Sequence, residues 1–286
     1  MCFFYNDYNK VNKSRPGVFS KKYVIDHDCH IHSQLSFCSK HPEETTERIL
    51  AYALENNFKT ITLTDHYWDE TVEGASGWYA GQNTAHIKQA LPLPRADGVR
   101  FLFGCETELN KELTVGVSRA RMEELDFVII PTTHLHMEGY TIERDTNAAR
   151  RAELWCERFE AVLSMDLPFH KIGIAHLACT LLAPGRDVEQ HKFILRTLPE
   201  ERMRRIFTDA AKKGVGIELN IELANKDEEH VDLMFRPFRI AAECGCRFYL
   251  GSDAHTPDRF DESPADFRRM VETLGLKEEQ KFPLFA

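Results

Sequence analysis

Seven short apolar or β-branched runs alternate with stretches of helical period along this chain, and that alternation leaves few folds open. The runs are residues 23–28, 60–64, 100–105, 127–130, 171–175, 215–219 and 247–250. Each has the length of a single strand. Strands separated by helices pair in parallel, with the helices packed outside the sheet. No Pro/Gly/Ser-rich linker interrupts the pattern, so residues 21–286 are expected to form one α/β domain, with 1–20 as an N-terminal extension lacking any period.

The helical stretches carry their own start and stop signals. One is predicted over about 43–56, with Pro42 near its first turn and Ile49, Leu50, Ala53 and Leu54 inward. Ser118 is placed to cap a short helix over 119–125. A longer one over 147–164 is expected to bury Leu154 or Trp155, with Phe159, Val162 and Leu163. Met203, Ile206, Phe207, Ala210 and Ala211 form a regular stripe that Gly214 ends. Two more are expected near 237–244 and from Ser263 as cap through Leu274, with Pro264 in the first position and Gly275 at the close. Residues 67–94, holding Trp68, Trp78 and Tyr79, are a connection long enough to suggest a lid.

Composition narrows the partners. A net charge of −9 argues against nucleic acid and anionic membrane, both of which favour a basic face. No apolar run approaches the roughly 18 residues of a membrane span. The eight cysteines form no C-x-x-C pair, and the first residues lack the pattern of a secretory leader. A cytoplasmic protein with reduced thiols is the expectation.

Chemistry concentrates where the strands end. Six of the seven runs finish at metal-capable side chains: His30 and His32, Asp65 and His66, Glu106, His134 with His136 as its alternative, His176, and Asp253 with His255. The remaining strand carries Glu218 and Asn220. Extended residues two apart share a face, which puts Asp28 on the side of His30 and His32. In parallel barrels the C-terminal strand ends form one face, so these groups should converge. They outnumber the four ligands of a single tetrahedral zinc, and two or three divalent ions (Zn, Mn or Fe) fit better. His86, His191 and His230 fall in helices or loops and read as solvated surface residues.

The ordered segments Asp28-x-His30-x-His32-Ser33, Thr64-Asp65-His66, Gly104-x-Glu106, His134, His176 and Gly251-Ser252-Asp253-Ala254-His255 resemble the successive motifs of the PHP family, the polymerase and histidinol phosphatase superfamily. The resemblance spans about 23–260 and implies a distorted, TIM-like (β/α)7 barrel. It also implies that His30, His32, Glu106 and Asp253 hold one ion. Glu106, His134 and His176 would hold a second, and His66 and His255 a third. Relatives usually add an Asp or His to the third set, where this chain has Cys38, with His41 as the substitute. Catalytic roles fall on Glu106, Asp253 and Asp65.

The reaction the resemblance implies is metal-dependent hydrolysis of a small phosphate monoester, such as a histidinol-phosphate-like metabolite, by a metal-bridging hydroxide. Arg186 and Arg259, in loops after the fifth and seventh runs, are the candidates for gripping phosphate. Two other readings share the ligand set: a phosphodiesterase or amidohydrolase-type hydrolase, and a metal-binding regulatory module without turnover.

Overall fold

The computed structural model describes residues 21–224 and 226–283. The proposed extension over 1–20 lies outside the described residues.

The first strand, β1 (His27–Ile31), starts later than expected and runs through His30, with all five residues buried. It pairs in parallel with β2 (Thr60–Leu63), which pairs with β3 (Arg100–Phe103). The third apolar run breaks at Gly104, so that β4 (Cys105–Glu106) leaves β2 and joins β5 (Val128–Pro131). The ladder then continues in parallel through β6 (Ile172–Ala175), β7 (Gly216–Leu219) and β8 (Arg247–Leu250). Between β8 and β1 there is no full ladder. Asp253 N–H donates to His30 O (2.8 Å) and His32 N–H to Ala254 O (3.0 Å), which brings the last strand position back to the first. The arrangement is a mixed α/β, TIM-like fold in which the seven expected strand positions recur, one of them split.

Gly104 explains the split. A Cβ there would lie 2.4 Å from Phe127 O, so only glycine permits the backbone approach at which the strand changes partner. A second irregularity sits in β1, where the register with β2 shifts between Asp28 and Ile31. Bulges of this kind re-aim side chains, and Asp28 stands outside the convergent donor groups. Its carboxylate accepts from Ser252 N–H (3.0 Å), Tyr52 O–H (3.1 Å) and the backbone N–H of His30 (3.3 Å). Asp28 thus joins β1, β8 and the outer helix layer rather than the strand-end cluster, and its burial pushes the carboxyl up to about 6.

The helices are α1 (Thr46–Glu55), α2 (Thr84–Ile87), α3 (Arg119–Glu124), α4 (Ala148–Ser164), α5 (Val188–Thr197), α6 (Glu200–Lys213), α7 (Glu228–Glu243) and α8 (Asp258–Leu274). Ser118 and Gly214 cap as the sequence predicts, and Asn147, expected as the first residue of α4, is its N-cap. In α1, Tyr52 and not Leu54 faces inward. Helix α5 was not expected. Both of the last two helices start earlier than expected, because Pro237 and Pro264 lie inside α7 and α8. An interior proline costs a helix about 3 kcal/mol, and here the flanking Phe235, Phe238, Phe260 and Phe267 are all buried against the core. Asp227 caps α7, accepting from His230 N–H (2.8 Å), while Ser263 O–H donates to Arg259 O (2.6 Å) one turn back.

Inside α4, two arginines face inward with Trp155 and Phe159. Arg158 donates to the carbonyls of Leu109 (2.6 Å), Thr141 (2.7 Å) and Thr132 (2.9 Å), and Arg151 to that of Thr146 (2.8 Å). These bonds fasten the loops after β4 and β5, which carry site residues. His191 and His230 are not on the surface: both are buried, joined Nδ1 to Nε2 at 2.7 Å. His86 is half-buried, with Nε2 2.7 Å from Leu35 O. All cysteines among the described residues are free. No helix among them is long and apolar enough to cross a membrane.

Candidate metal centre

Glu106, buried at the end of β4, lies at the middle of the strand-end cluster. Its Oε2 is 3.4 Å from His30 Nε2, 3.3 Å from His32 Nε2 and 3.1 Å from His66 Nδ1. Its Oε1 is 3.1 Å from His176 Nε2 and 3.9 Å from His134 Nε2. Asp253 Oδ1 closes the first group, 3.3 Å from His30 Nε2 and 3.1 Å from His32 Nε2. The donor atoms of His30, His32, Glu106 and Asp253 converge within 4.8 Å of one another, as do those of Glu106, His134 and His176. A third convergent group comprises His66, His255 and His32.

Hydrogen bonds on the far side of the rings decide what the near side offers. His30 Nδ1–H donates to Glu218 Oε1 (2.5 Å) and His134 Nδ1–H to Glu108 Oε2 (2.8 Å). Ser36 gives its own proton to Asp65 Oδ1 (2.7 Å), so its oxygen accepts from His32 Nδ1–H (2.9 Å). Thr133 likewise gives its proton to His176 O and accepts from His176 Nδ1–H (3.2 Å). His255 Nδ1–H donates to Asp253 O (2.8 Å). Each of these rings is therefore held as the tautomer whose Nε2 lone pair faces inward, the state a metal ligand needs.

Inward lone pairs repel unless a cation or proton lies between them. His30 Nε2 and His32 Nε2 are 3.1 Å apart, and the buried His66 Nδ1 and Asp253 Oδ1 have no hydrogen-bond partner. The electrostatics agree. Burial lowers His30, but the carboxylates of Glu218, Asp253 and Glu106 outweigh it and hold the imidazole well above its ordinary value. Burial also opposes His32, which the adjacent carboxylates of Asp253 and Glu106 nonetheless raise to about 9. Against their own burial, Glu106 and Asp253 are held well below the carboxylate range by the surrounding imidazoles. His66 is pushed well down by burial and stays neutral. The pocket thus attracts positive charge, and its nitrogen and carboxylate donors suit a borderline cation such as zinc. Two of its residues carry left-handed backbone, His176 (φ 32°) and Asp253 (φ 53°). Such strain costs of order 1–3 kcal/mol per residue and gathers at functional sites.

Several expected site residues lie elsewhere. Asp65 is taken up by Ser33 N–H, Ser33 O–H and Ser36 O–H, all at 2.7 Å, so it braces the loop after β1 and stands outside the convergent groups. His41 is exposed and accepts from Glu43 N–H (3.3 Å). Cys38 lines the cavity above the cluster and is exposed, but it is not one of the convergent donors. Arg259 belongs to the first turn of α8 and pairs with Asp266 (2.8 Å) and Glu262 (3.1 Å). Arg186 does face the site. It borders both the 650 Å³ cavity over the cluster and an adjoining 200 Å³ recess. His136 lines the larger space edge-on to His134, at 5.3 Å between ring centres. Sequence reasoning missed Ser36 and Glu108. Glu108 carried a signal, being two residues beyond Glu106 on a strand end.

A larger groove of 1070 Å³, lined by Leu91, Phe101 and Phe103 among others, lies apart from these ligands. It has no comparable cluster of donors. The chemistry points to the smaller cavity.

The model of the PHP domain matches residues 28–222. No curated protein sequence matches the chain. Among solved structures, the fold is similar to a histidinol phosphate phosphatase from Lactococcus lactis complexed with zinc, L-histidinol and phosphate. The TM-score is 0.62 at 16% identity, over 90% of this chain and 98% of that one. A putative histidinol phosphatase from Listeria monocytogenes gives 0.59 at 15% identity, over 85% of this chain and 100% of that one.

Proposed function

The chain belongs to the PHP domain family, and from that premise we propose that it is a metal-dependent phosphoesterase acting on a small phosphate monoester. The observation that carries this reading is Glu106, whose two oxygens face different sets of inward imidazole nitrogens. A single carboxylate between two ligand sets is the arrangement that lets two ions act on one substrate. His30, His32, Glu106 and Asp253 would hold one ion, Glu106, His134 and His176 a second, and His66 and His255, with His32 close by, a third.

Divalent ions in these sets would supply a water deprotonated near neutral pH and offset charge on the phosphoryl oxygens. The chain does the rest. Glu218, Glu108, Ser36 and Thr133 keep the imidazoles in the binding tautomer. Arg186, at the border of the two spaces, would grip phosphoryl oxygens through its guanidinium fork. Trp78, Tyr79, Met137 and Leu181 give the larger space an apolar wall for the leaving group and shield the reacting centre from bulk water. The Lactococcus lactis relative, with zinc, L-histidinol and phosphate, supports a small phosphorylated metabolite of that kind.

The test is a hydrolysis panel of monoesters, diesters and cyclic amides, run on protein whose metal content is measured in parallel. Phosphate release from monoesters, lost on chelation and restored by zinc or manganese, is the expected result. Turnover of diesters or amides alone would replace this reading with the other hydrolases, and full metal loading without any turnover would point to a regulatory module.

A further inference from the structure

Glu108 stands behind the cluster and is fully buried. Its Oε2 accepts from His134 Nδ1–H (2.8 Å) and from Tyr79 O–H (3.3 Å). Its Oε1 accepts from Leu109 N–H (2.9 Å) and lies 3.7 Å from the Arg158 guanidinium. Arg158 is itself fixed by the carbonyls of Leu109, Thr132 and Thr141. The carboxylate therefore cannot swing toward the cavity without abandoning a buried cation, and it presents one fixed oxygen to two groups of different kinds.

One of those groups belongs to the candidate metal centre. His134 stacks on His176 with 4.6 Å between ring centres, and its Nε2 is 3.9 Å from Glu106 Oε1, too far for a hydrogen bond. The other belongs to the cavity wall. Tyr79 lies against His66 at 5.9 Å and against Trp78 at 4.8 Å between ring centres, in the long connection after β2. A single oxygen thus ties a ligand-competent histidine to the aromatic wall over the site.

We propose that Glu108 is a positioning residue that fixes His134 in its metal-binding tautomer and, through Tyr79, couples that ligand set to the wall facing the leaving group. The proposal rests on the metal-dependent phosphoesterase reading. Carboxylates behind metal-bound histidines are generally worth 10–100-fold in metal affinity.

The test titrates metal-free full-length protein with Co²⁺, followed by its visible absorption, in the wild type, Glu108→Gln, Glu108→Asp and Tyr79→Phe. Glu108→Gln should weaken one class of cobalt site by roughly 10–100-fold and leave the remaining sites at wild-type affinity. Glu108→Asp keeps the charge beside Arg158 but withdraws the oxygen from His134. It should weaken the same class, and it decides the matter if the Gln variant does not fold. Tyr79→Phe leaves the His134 bond in place, so cobalt affinity should hold while KM for the best monoester rises. Wild-type cobalt binding in a folded Glu108→Gln or Glu108→Asp variant would overturn the proposal and leave Glu108 as the counter-charge of Arg158. A wild type that bound no cobalt would instead overturn the underlying reading, and the two failures are thereby separable.

Discussion

Replacing Gly251 by alanine tests whether the arrangement behind His30 is as rigid as its distances imply. An added Cβ would lie 2.1 Å from Glu218 Oε1 and 2.7 Å from His30 Cβ. His30 Cβ is tied to the buried β1 backbone and has nowhere to go. Glu218 Oε1 ends a longer side chain, but that carboxylate accepts from His30 Nδ1–H (2.5 Å) and from His176 N–H (2.7 Å). Relieving the clash therefore requires Glu218 to move by about an ångström and to lose at least one of those bonds. Overpacking costs about 1–3 kcal/mol, and an unsatisfied buried group adds about 1–3 kcal/mol. For a chain of this size the combined loss lowers Tm by roughly 3–10 °C. Differential scanning fluorimetry of metal-free Gly251→Ala reads this directly, and elemental analysis of the loaded protein should show reduced zinc. A variant with wild-type Tm and zinc content would refute the reasoning, since Glu218 would then be free to turn away without consequence.

Glu106→Gln retains the shape but removes the charge shared by two ligand sets, so kcat should fall by about three orders of magnitude with circular dichroism unchanged; activity within tenfold of wild type would remove Glu106 from the centre. Arg186→Ala should raise KM for monoesters by about 10–100-fold, the worth of a charge-assisted contact, whereas Arg259→Ala should leave KM alone and only slightly lower Tm; steady-state kinetics on both separates the two arginines. His32 is raised in the folded, metal-free chain from 6.5 to about 9, so its contribution to stability is complete below pH 6.5 and is lost as the pH climbs toward 9. Tm of chelated protein should accordingly decline over that window, and the increment on adding zinc should grow as protons cease to compete; an increment that shrinks with pH would contradict it.

The fold was legible where pattern and packing agree. The seven apolar runs mark all the strand positions because most are buried on both faces and so read as short continuous stretches, the partly exposed Arg100–Phe103 being the exception. The errors arise where a local signal has two outcomes. Ser263-Pro264 has the composition of a helix start, yet Phe260 one turn earlier is buried against the core, and that contact extends α8 back to Asp258. Arg151 and Arg158 interrupt the apolar stripe of α4 because they reach backbone carbonyls of distant loops, Leu135 and Leu182 for the first and Leu109, Thr132 and Thr141 for the second, which no periodicity encodes.

The site divides along the same line. Strand-end position alone brought His30, His32, His66, Glu106, His134, His176, Asp253 and His255 into one convergent cluster, because a parallel barrel delivers every C-terminal strand end to one face. It could not separate carboxylates that face the cavity from those that stand behind it. Asp28, Asp65, Glu108 and Glu218 have the same chemistry and strand-end placement as Glu106 and Asp253, yet each turns to a hydroxyl, a backbone N–H or a histidine Nδ1. Asp28 is taken up by Ser252 N–H and Tyr52 O–H beside an irregularity in β1, and Asp65 by two serines of the loop after β1. These are matters of a few degrees of backbone and of which hydroxyl lies nearest. A buried carboxylate must find a partner: Glu218 and Glu108 find it in the imidazoles of His30 and His134, and Asp65 in Ser36, which holds His32.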